Sequence, residues 1–328
     1  MKALRTRFAP SPTGDLHLGG LICAFVSYLY ARRTGGAFVV RIEDIDTPRV
    51  VIGSADRILD DLEALGLIGD ELDRSTRAGS PGTTAERGAA KICAPYTQSA
   101  RTSLYDAALL ALGDAVYPCD CSRAEVLRAA SAPHAGEEIV YPGTCREKPR
   151  DREMNRDPAL RLSVPVGASV EFDDVALGKS TQRVDLEVGD FVLRRGDGVF
   201  AYQLACALDD HAMHLDLVVR GRDLHASTAR QLYLARLAGE THVPRYWHLP
   251  MLVAADGQRV AKRTPGATVR ALLARGISNE AMFGFLGYAA GLFDDPAPRD
   301  LARALEEACP LDALRAVPEA VKVPDGWG

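Results

Sequence analysis

The chain has 328 residues, 47% of them hydrophobic and 25% charged, with a formal net charge of −5. This is the composition of a globular protein long enough for two or three domains, and it excludes an overall basic character while leaving room for nucleic acid on a local basic face. The first residues, MKALRTRFAP, hold no apolar run of signal-peptide length, and no stretch reaches the roughly 18 apolar residues of a membrane span, so a cytoplasmic location without membrane contact is expected.

Residues 3–8 read as a short strand. The loop RFAPSPTGDLHLGG follows, and then LHLGGLICAFVSYLYARR places Leu18, Leu21, Ile22, Phe25 and Leu29 at helical spacing, with Gly35 and Gly36 as its stop. AFVVRIED (37–44) is a continuous apolar run ending in charges, as a buried parallel strand would be, so the first forty residues form a strand–helix–strand unit. A mixed-face helix covers about 55–65 and another about 100–112. Between them, the Gly/Ser/Thr/Ala-rich segment 70–95 has no periodicity and reads as a surface insertion. A β-rich stretch follows residue 150, with a hairpin signal at Gly196-Asp197-Gly198. A helix is expected over 201–210, a buried strand over 215–221, and a helix over 227–239 with Ser227 as N-cap. LPMLVAADGQRVAKRTPG (249–266) reads as a strand, a tight Asp256-Gly257 turn and a basic loop, and the remaining residues read as helical and alanine-rich.

Seven cysteines, an odd number scattered over a long chain, argue against a disulfide framework. Three of them are close in sequence. Cys119 and Cys121 lie in YPCDCSRAE, directly before a helix whose start is fixed by a Ser122/Glu125 capping box, and Cys145 follows in YPGTC. Three thiolates in polar, proline-rich surroundings suit tetrahedral zinc with one further ligand, for which His134 and Cys93 are candidates on sequence grounds.

The opening loop carries one histidine, His17, just ahead of a helix N-terminus, where free backbone N–H groups favour anions. It is not a Walker loop, because no Gly-Lys-Ser/Thr follows. A loop histidine early and Lys262 late, on a nucleotide-type fold, form a pair suited to stabilising the pentavalent α-phosphate when a carboxylate attacks ATP. For an amino-acid ligand, Arg7 and Arg220 stand at strand ends, where an open α/β sheet binds ligands, and each can fork onto a carboxylate. Glu43 can take an ammonium, and Ser11 and Tyr202 add hydroxyls.

RFAPSPTGDLHLGG, RIEDIDTPR, FAYQLACALDDH, VVRGRDL and VAKRT, in this order, resemble the catalytic half of class I glutamyl-tRNA synthetases, from about Arg5 to Gly266. Within that family the likeness is greatest to the short paralogues, the glutamyl-queuosine tRNA(Asp) synthetases. The resemblance implies an α/β fold: a Rossmann-type parallel sheet, an inserted zinc-bearing subdomain and a short helical C-terminal region. The implied segments are 1–112 and 191–250 for the two halves of the catalytic domain, 113–190 for the insert, and 251–328 for the KMSKS-type loop and helices, with no anticodon-binding domain.

By the same resemblance, Arg7, Ala9, Ser11, Glu43, Tyr202 and Arg220 form the glutamate site. His17, Gly19 and Gly20 belong to the HIGH-type signature, with Gly20 where the family has a second histidine. Lys262 is the functional lysine of the KMSKS-type loop. Cys119, Cys121, Tyr141 and Cys145 hold a structural zinc, so Tyr141 joins His134 and Cys93 as a candidate fourth ligand. Leu224 stands where full-length enzymes carry a bulkier aromatic. His211 and His214, beside Asp209 and Asp210, are read as scaffold rather than as metal ligands. The implied reaction is activation of L-glutamate by ATP with Mg2+, without tRNA, and transfer to queuosine in the anticodon loop of tRNA(Asp), by a monomer. Two other functions fit part of the pattern: a minimal glutamyl-tRNA synthetase charging a 3′ end, and a catalytically silent zinc-bearing RNA-binding paralogue.

Overall fold

The computed structural model describes residues 2–73, 94–129, 140–260 and 266–327. In chain order the elements are β1 (Thr6–Phe8), α1 (Leu18–Thr34), β2 (Phe38–Val40), α2 (Ser54–Ala64), α3 (Thr102–Ala111), β3 (Val116–Cys119), α4 (Arg123–Ala129) and β4 (Ala159–Leu162). They continue with β5 (Ser169–Asp174), β6 (Gly178–Arg183), α5 (Val184–Glu187), β7 (Phe191–Arg194), α6 (Tyr202–Ala212), β8 (Leu217–Gly221) and α7 (His225–Leu237). The last are β9 (Arg245–Leu249), β10 (Met251–Val253), α8 (Val269–Ala274), α9 (Asn279–Ala289), α10 (Leu301–Glu307) and β11 (Ala320–Lys322).

The main sheet has six strands in the order β2-β1-β8-β9-β5-β6, parallel except for the β5–β6 hairpin at its edge. Side chains alternate across its strands. Phe38 and Val40 enter one core with Leu217, Val219, Trp247 and Leu249; Val39, Val218 and Tyr246 enter the other. The first core includes α1 and the C-terminal helices, with Phe25 stacked on Phe283 at 4.8 Å. The second includes α6 and α7. Burial on both faces explains why β2 and β8 read as unbroken apolar runs, whereas β5 and β6 at the edge alternate or are polar. The expected parallel α/β architecture is therefore present.

Helix α1 begins and ends where the sequence places it. His17 is its N-cap, accepting from the Gly20 amide, and Gly35 closes it at φ 66°, the left-handed conformation open to glycine. A small antiparallel sheet, β3-β4-β7, stands apart in the middle of the chain. The strands cross the boundary expected at residue 190: β5 and β6 extend the main sheet, whereas β7 completes the small one. The turn at 196–198 forms, with Arg195 N–H donating to the Val199 carbonyl at 2.8 Å.

Two local expectations are corrected. Ser227 is not an N-cap: α7 starts two residues earlier, and the buried Ser227 hydroxyl instead accepts from Gln203 Nε2 at 3.0 Å. The C-terminal region is not wholly helical, because β11 pairs in parallel with β10. Most of the 70–95 insertion lies outside the described residues.

Candidate active site

The loop after β1 owes its shape to backbone bonds with the segment after β2. Glu43 N–H donates to the Pro10 carbonyl and Val51 N–H to the Pro12 carbonyl, each at 2.9 Å, and Ser54 bonds both the amide and the carbonyl of Gly14. The other side of the loop is fixed from far away in sequence. Leu18 N–H donates to the Ala267 carbonyl and Val269 N–H to the Leu16 carbonyl. Prolines and glycines thus let one loop run against two segments at once.

This loop, the ends of β2 and β8 and the start of α6 enclose a cavity of about 560 Å³. Arg7, Ala9, Ser11, Glu43, Tyr202 and Arg220, expected to act together, all line it, as do His17 and Gly20. Gly19 lies at the first turn of α1, where a Cβ would come within 3.1 Å of the His17 ring. Lys262 lies outside the described residues; its neighbour Arg259 lines the cavity and pairs with Asp223 at 2.8 Å. His17 Nδ1 accepts from Gly20 N–H at 3.2 Å, which places the proton of a neutral ring on Nε2.

The floor is a buried charge network. Asp210 on α6 faces Arg41 at 2.7 Å and Arg7 at 3.4 Å. Arg41, fully buried, also pairs with Glu43 at 2.8 Å, and Arg7 donates to the Val219 carbonyl at 2.8 Å. Burial opposes ionisation of Asp210, but Arg7 and Arg41 outweigh it and hold the carboxyl well below its usual range. At Glu43 burial wins over Arg41 and raises the carboxyl. Burial likewise raises the Tyr202 phenol. Asp209 accepts from Arg101, Gln98 and Tyr105, so Asp209 and Asp210 anchor the network as scaffold residues.

Arg220 is different. Its buried guanidinium donates to His248, Gln231 and Thr228, all uncharged partners, and among the described residues its charge meets no carboxylate within salt-bridge distance. A cavity lined by this cation together with Arg7, Glu43 and Tyr202 offers both cationic and anionic partners to a small charged ligand.

At the small sheet, the Sγ atoms of Cys119, Cys121 and Cys145 lie within 4.8 Å of one another. The Tyr141 hydroxyl sits 3.3 Å from Cys119 Sγ and 3.5 Å from Cys121 Sγ, and it accepts from Cys145 N–H at 3.0 Å. Three thiols and one phenol oxygen thus converge, and a thiolate-rich donor set of this kind fits zinc. Arg152 reaches Cys145 Sγ at 3.5 Å while bonding Asp120, which bonds Asn155 in turn. The Ser122/Glu125 capping box forms as expected. His134 and Cys93 lie outside the described residues. No other cluster of three metal-capable side chains occurs among the described residues, so His211 and His214 build none with Asp209 and Asp210.

Residues 3–290 match the family model for the catalytic domain of class I tRNA synthetases (E and Q). A glutamyl-Q tRNA(Asp) synthetase of Symbiobacterium thermophilum is 42% identical over 329 aligned residues, covering 97% of this chain and 95% of that protein. The chain belongs to this family. It is an ATP-dependent ligase of the class I tRNA synthetase type. A second glutamyl-Q tRNA(Asp) synthetase, of Geobacter sulfurreducens, is 46% identical over 78% of this chain and 74% of its own length. Among solved structures, a glutamate tRNA ligase of Elizabethkingia meningosepticum in complex with its amino acid superposes with a TM-score of 0.76 at 25% identity. That likeness covers 97% of this chain and 67% of that one. Among the described residues no helix is long and apolar enough to cross a membrane.

Several residues in or beneath the cavity escaped the sequence reading. Arg41 was not singled out, because a charge ending an apolar strand looks like a solvated terminus. Arg49, in the RIEDIDTPR segment, lines the cavity. Cys23 also lines it, one turn into α1, and burial pushes its thiol up to about 12, so it is no ready nucleophile. Its helical position gave no signal beyond that of a core residue.

Proposed function

We propose that the chain activates L-glutamate with ATP, as its magnesium complex, and transfers glutamate to the queuosine base of tRNA(Asp). The observation that carries this reading is the buried, uncharged partnering of Arg220 in a cavity shared with Arg7, Glu43 and Tyr202. The names of the relatives above support the transfer step.

Arg7 and Arg220 bind the two carboxylates. Glu43 takes the ammonium through the oxygen that Arg41 does not hold, and the hydroxyls of Ser11 and Tyr202 and the backbone at Ala9 complete the fit. One glutamate carboxylate oxygen attacks the α-phosphorus of ATP, and pyrophosphate leaves. His17, with Gly19 and Gly20 permitting close approach, and Lys262 stabilise the charge that develops on the α-phosphate. A hydroxyl of the queuosine cyclopentene ring then attacks the acyl carbon of the adenylate, and AMP leaves. Zinc on Cys119, Cys121, Tyr141 and Cys145 has a structural role. Bound there, it would tie the turn before α4 to the 141–145 loop.

The test has two parts. Glutamate-dependent exchange of labelled pyrophosphate into ATP is expected without RNA, and labelled glutamate is expected on tRNA(Asp) that carries queuosine but not on tRNA(Asp) that lacks it. Exchange that appears only with tRNA(Glu), or label on the 3′ end, would overturn the reading.

A further inference from the structure

We propose that His248 is a positioning residue for glutamate recognition: held by Asp174, it sets the plane of the Arg220 guanidinium so that one N–H on each terminal nitrogen is left for a ligand carboxylate. This rests on the reading of Arg220 as a carboxylate-binding residue.

Arginine has five N–H donors in a rigid plane. In Arg220, Nε donates to His248 Nε2 at 3.1 Å, Nη1 to Gln231 Oε1 at 2.7 Å and Nη2 to Thr228 Oγ1 at 2.7 Å. One N–H on each Nη remains, a pair suited to bidentate recognition of a carboxylate. A carboxylate in place of any of the three acceptors would also fix the plane, but it would neutralise the cation. Three neutral acceptors fix it and leave the charge to the ligand. Arg7 and Arg41 contrast with this, since both face Asp210.

Neutral acceptors work only if they present lone pairs. Gln231 does so because its Nε2 donates to Gln203 Oε1 at 2.9 Å, and Gln203 donates in turn to Ser227. His248 does so because of Asp174. Asp174 Oδ2 accepts from His248 Nδ1 at 2.6 Å and from the His248 amide at 3.1 Å, while its Oδ1 accepts from the amides of Ala176 and Leu177. With its proton committed to Nδ1, the ring offers Nε2 as an acceptor. An imidazolium, or the other tautomer, would set N–H against the Arg220 N–H. Burial pushes His248 down to about 4, so the ring is neutral near pH 7.

The device is written across three neighbouring strands. Arg220 on β8 is the register partner of His248 on β9, and Asp174 ends β5, the next strand. All three side chains are buried.

The experiment measures kcat and the KM values for glutamate and ATP in pyrophosphate exchange with the full chain. His248→Met has similar volume and makes neither bond. His248→Gln has an amide able to accept from Arg220 and donate to Asp174. The methionine variant is expected to raise the glutamate KM at least tenfold, with kcat and the ATP KM within twofold of the parent. The glutamine variant is expected to stay within threefold on all three.

A methionine variant with unchanged glutamate KM, or two variants that lose all three parameters together, would overturn the proposal. If the methionine variant does not fold, nitrogen-15 NMR of the parent at pH 7 decides, with the His248 signals assigned by their loss in His248→Gln. An Nδ1–H tautomer supports the proposal, and an Nε2–H tautomer or imidazolium overturns it. Arg220→Gln separates the two levels of the argument. No change in glutamate KM there removes the underlying reading along with this one, whereas a large change there with none in His248→Met removes only the role of His248.

Discussion

Asp210→Asn tests the charge network beneath the cavity. The carboxylate is 4% exposed, 2.7 Å from Arg41 Nη1 and 3.4–3.5 Å from two nitrogens of Arg7. At an effective dielectric of about 20, one charge pair at this range is worth roughly 5 kcal/mol before desolvation is counted. Asparagine keeps the shape, removes the anion and turns an amide donor toward one of two guanidinium groups. Removing one partner of a buried pair costs about 3–5 kcal/mol, because the other charge remains in the interior. We therefore expect urea unfolding at pH 7 to show a loss of about 3–5 kcal/mol with an unchanged m-value.

The pH dependence has a definite sign. The native carboxyl titrates below its unfolded value of about 4, so its contribution is complete above about pH 4 and is lost as the pH falls through the lower native value. The gap between parent and variant should thus be constant from pH 5 to 7 and shrink below 4. A loss under about 1 kcal/mol at pH 7 would refute the reasoning, since it would mean that Glu43 and Asp209 alone balance Arg7 and Arg41.

Two further outcomes follow from the site. Cys121→Ser should lose the one zinc per chain that metal analysis of the untagged parent should find, while glutamate-dependent pyrophosphate exchange persists and transfer to tRNA suffers more; a parent without zinc, or a variant that keeps its metal and loses exchange, contradicts this assignment. Lys262→Ala should slow adenylate formation by about 2–4 kcal/mol in barrier with little change in glutamate KM, measured by single-turnover kinetics, and an unchanged rate would assign the α-phosphate to another residue.

The sequence is most legible where physics is local. Gly35 marks the end of α1 because a C-cap needs only a few residues, and the Ser122/Glu125 box is likewise self-contained. Arg7, Glu43, Tyr202 and Arg220 could be named in advance through motif order, and the structure brings them to one cavity.

What stayed hidden depends on distant partners. Asp174 and His248 are 74 residues apart and give no pattern to either neighbourhood. Arg41 pairs locally with Glu43, but its place beneath the cavity is set by Asp210, brought against it by α6. Strand β11 is three residues, AVK, partly exposed, with no alternation long enough to read, and its pairing with β10 is set by the fold rather than by propensity. Ser227 looked like a cap because serine favours that position, but a distant partner, Gln203, bonds its hydroxyl inside the helix.

The strand order has a consequence for biosynthesis. The backbone amide of Arg5, at the foot of β1, donates to Asp216, 211 residues later, just ahead of the neighbouring strand β8. At a synthesis rate of about 5–20 residues per second, that partner follows roughly 10–40 s after β1. Throughout that interval the emerging chain carries Arg7 and Arg41 without Asp210, and an apolar strand edge without its neighbour. The centre of the sheet therefore closes late, and high contact order makes its formation slow. Until then the nascent N-terminal third is the aggregation-exposed part of the molecule, which is where chaperone demand should concentrate.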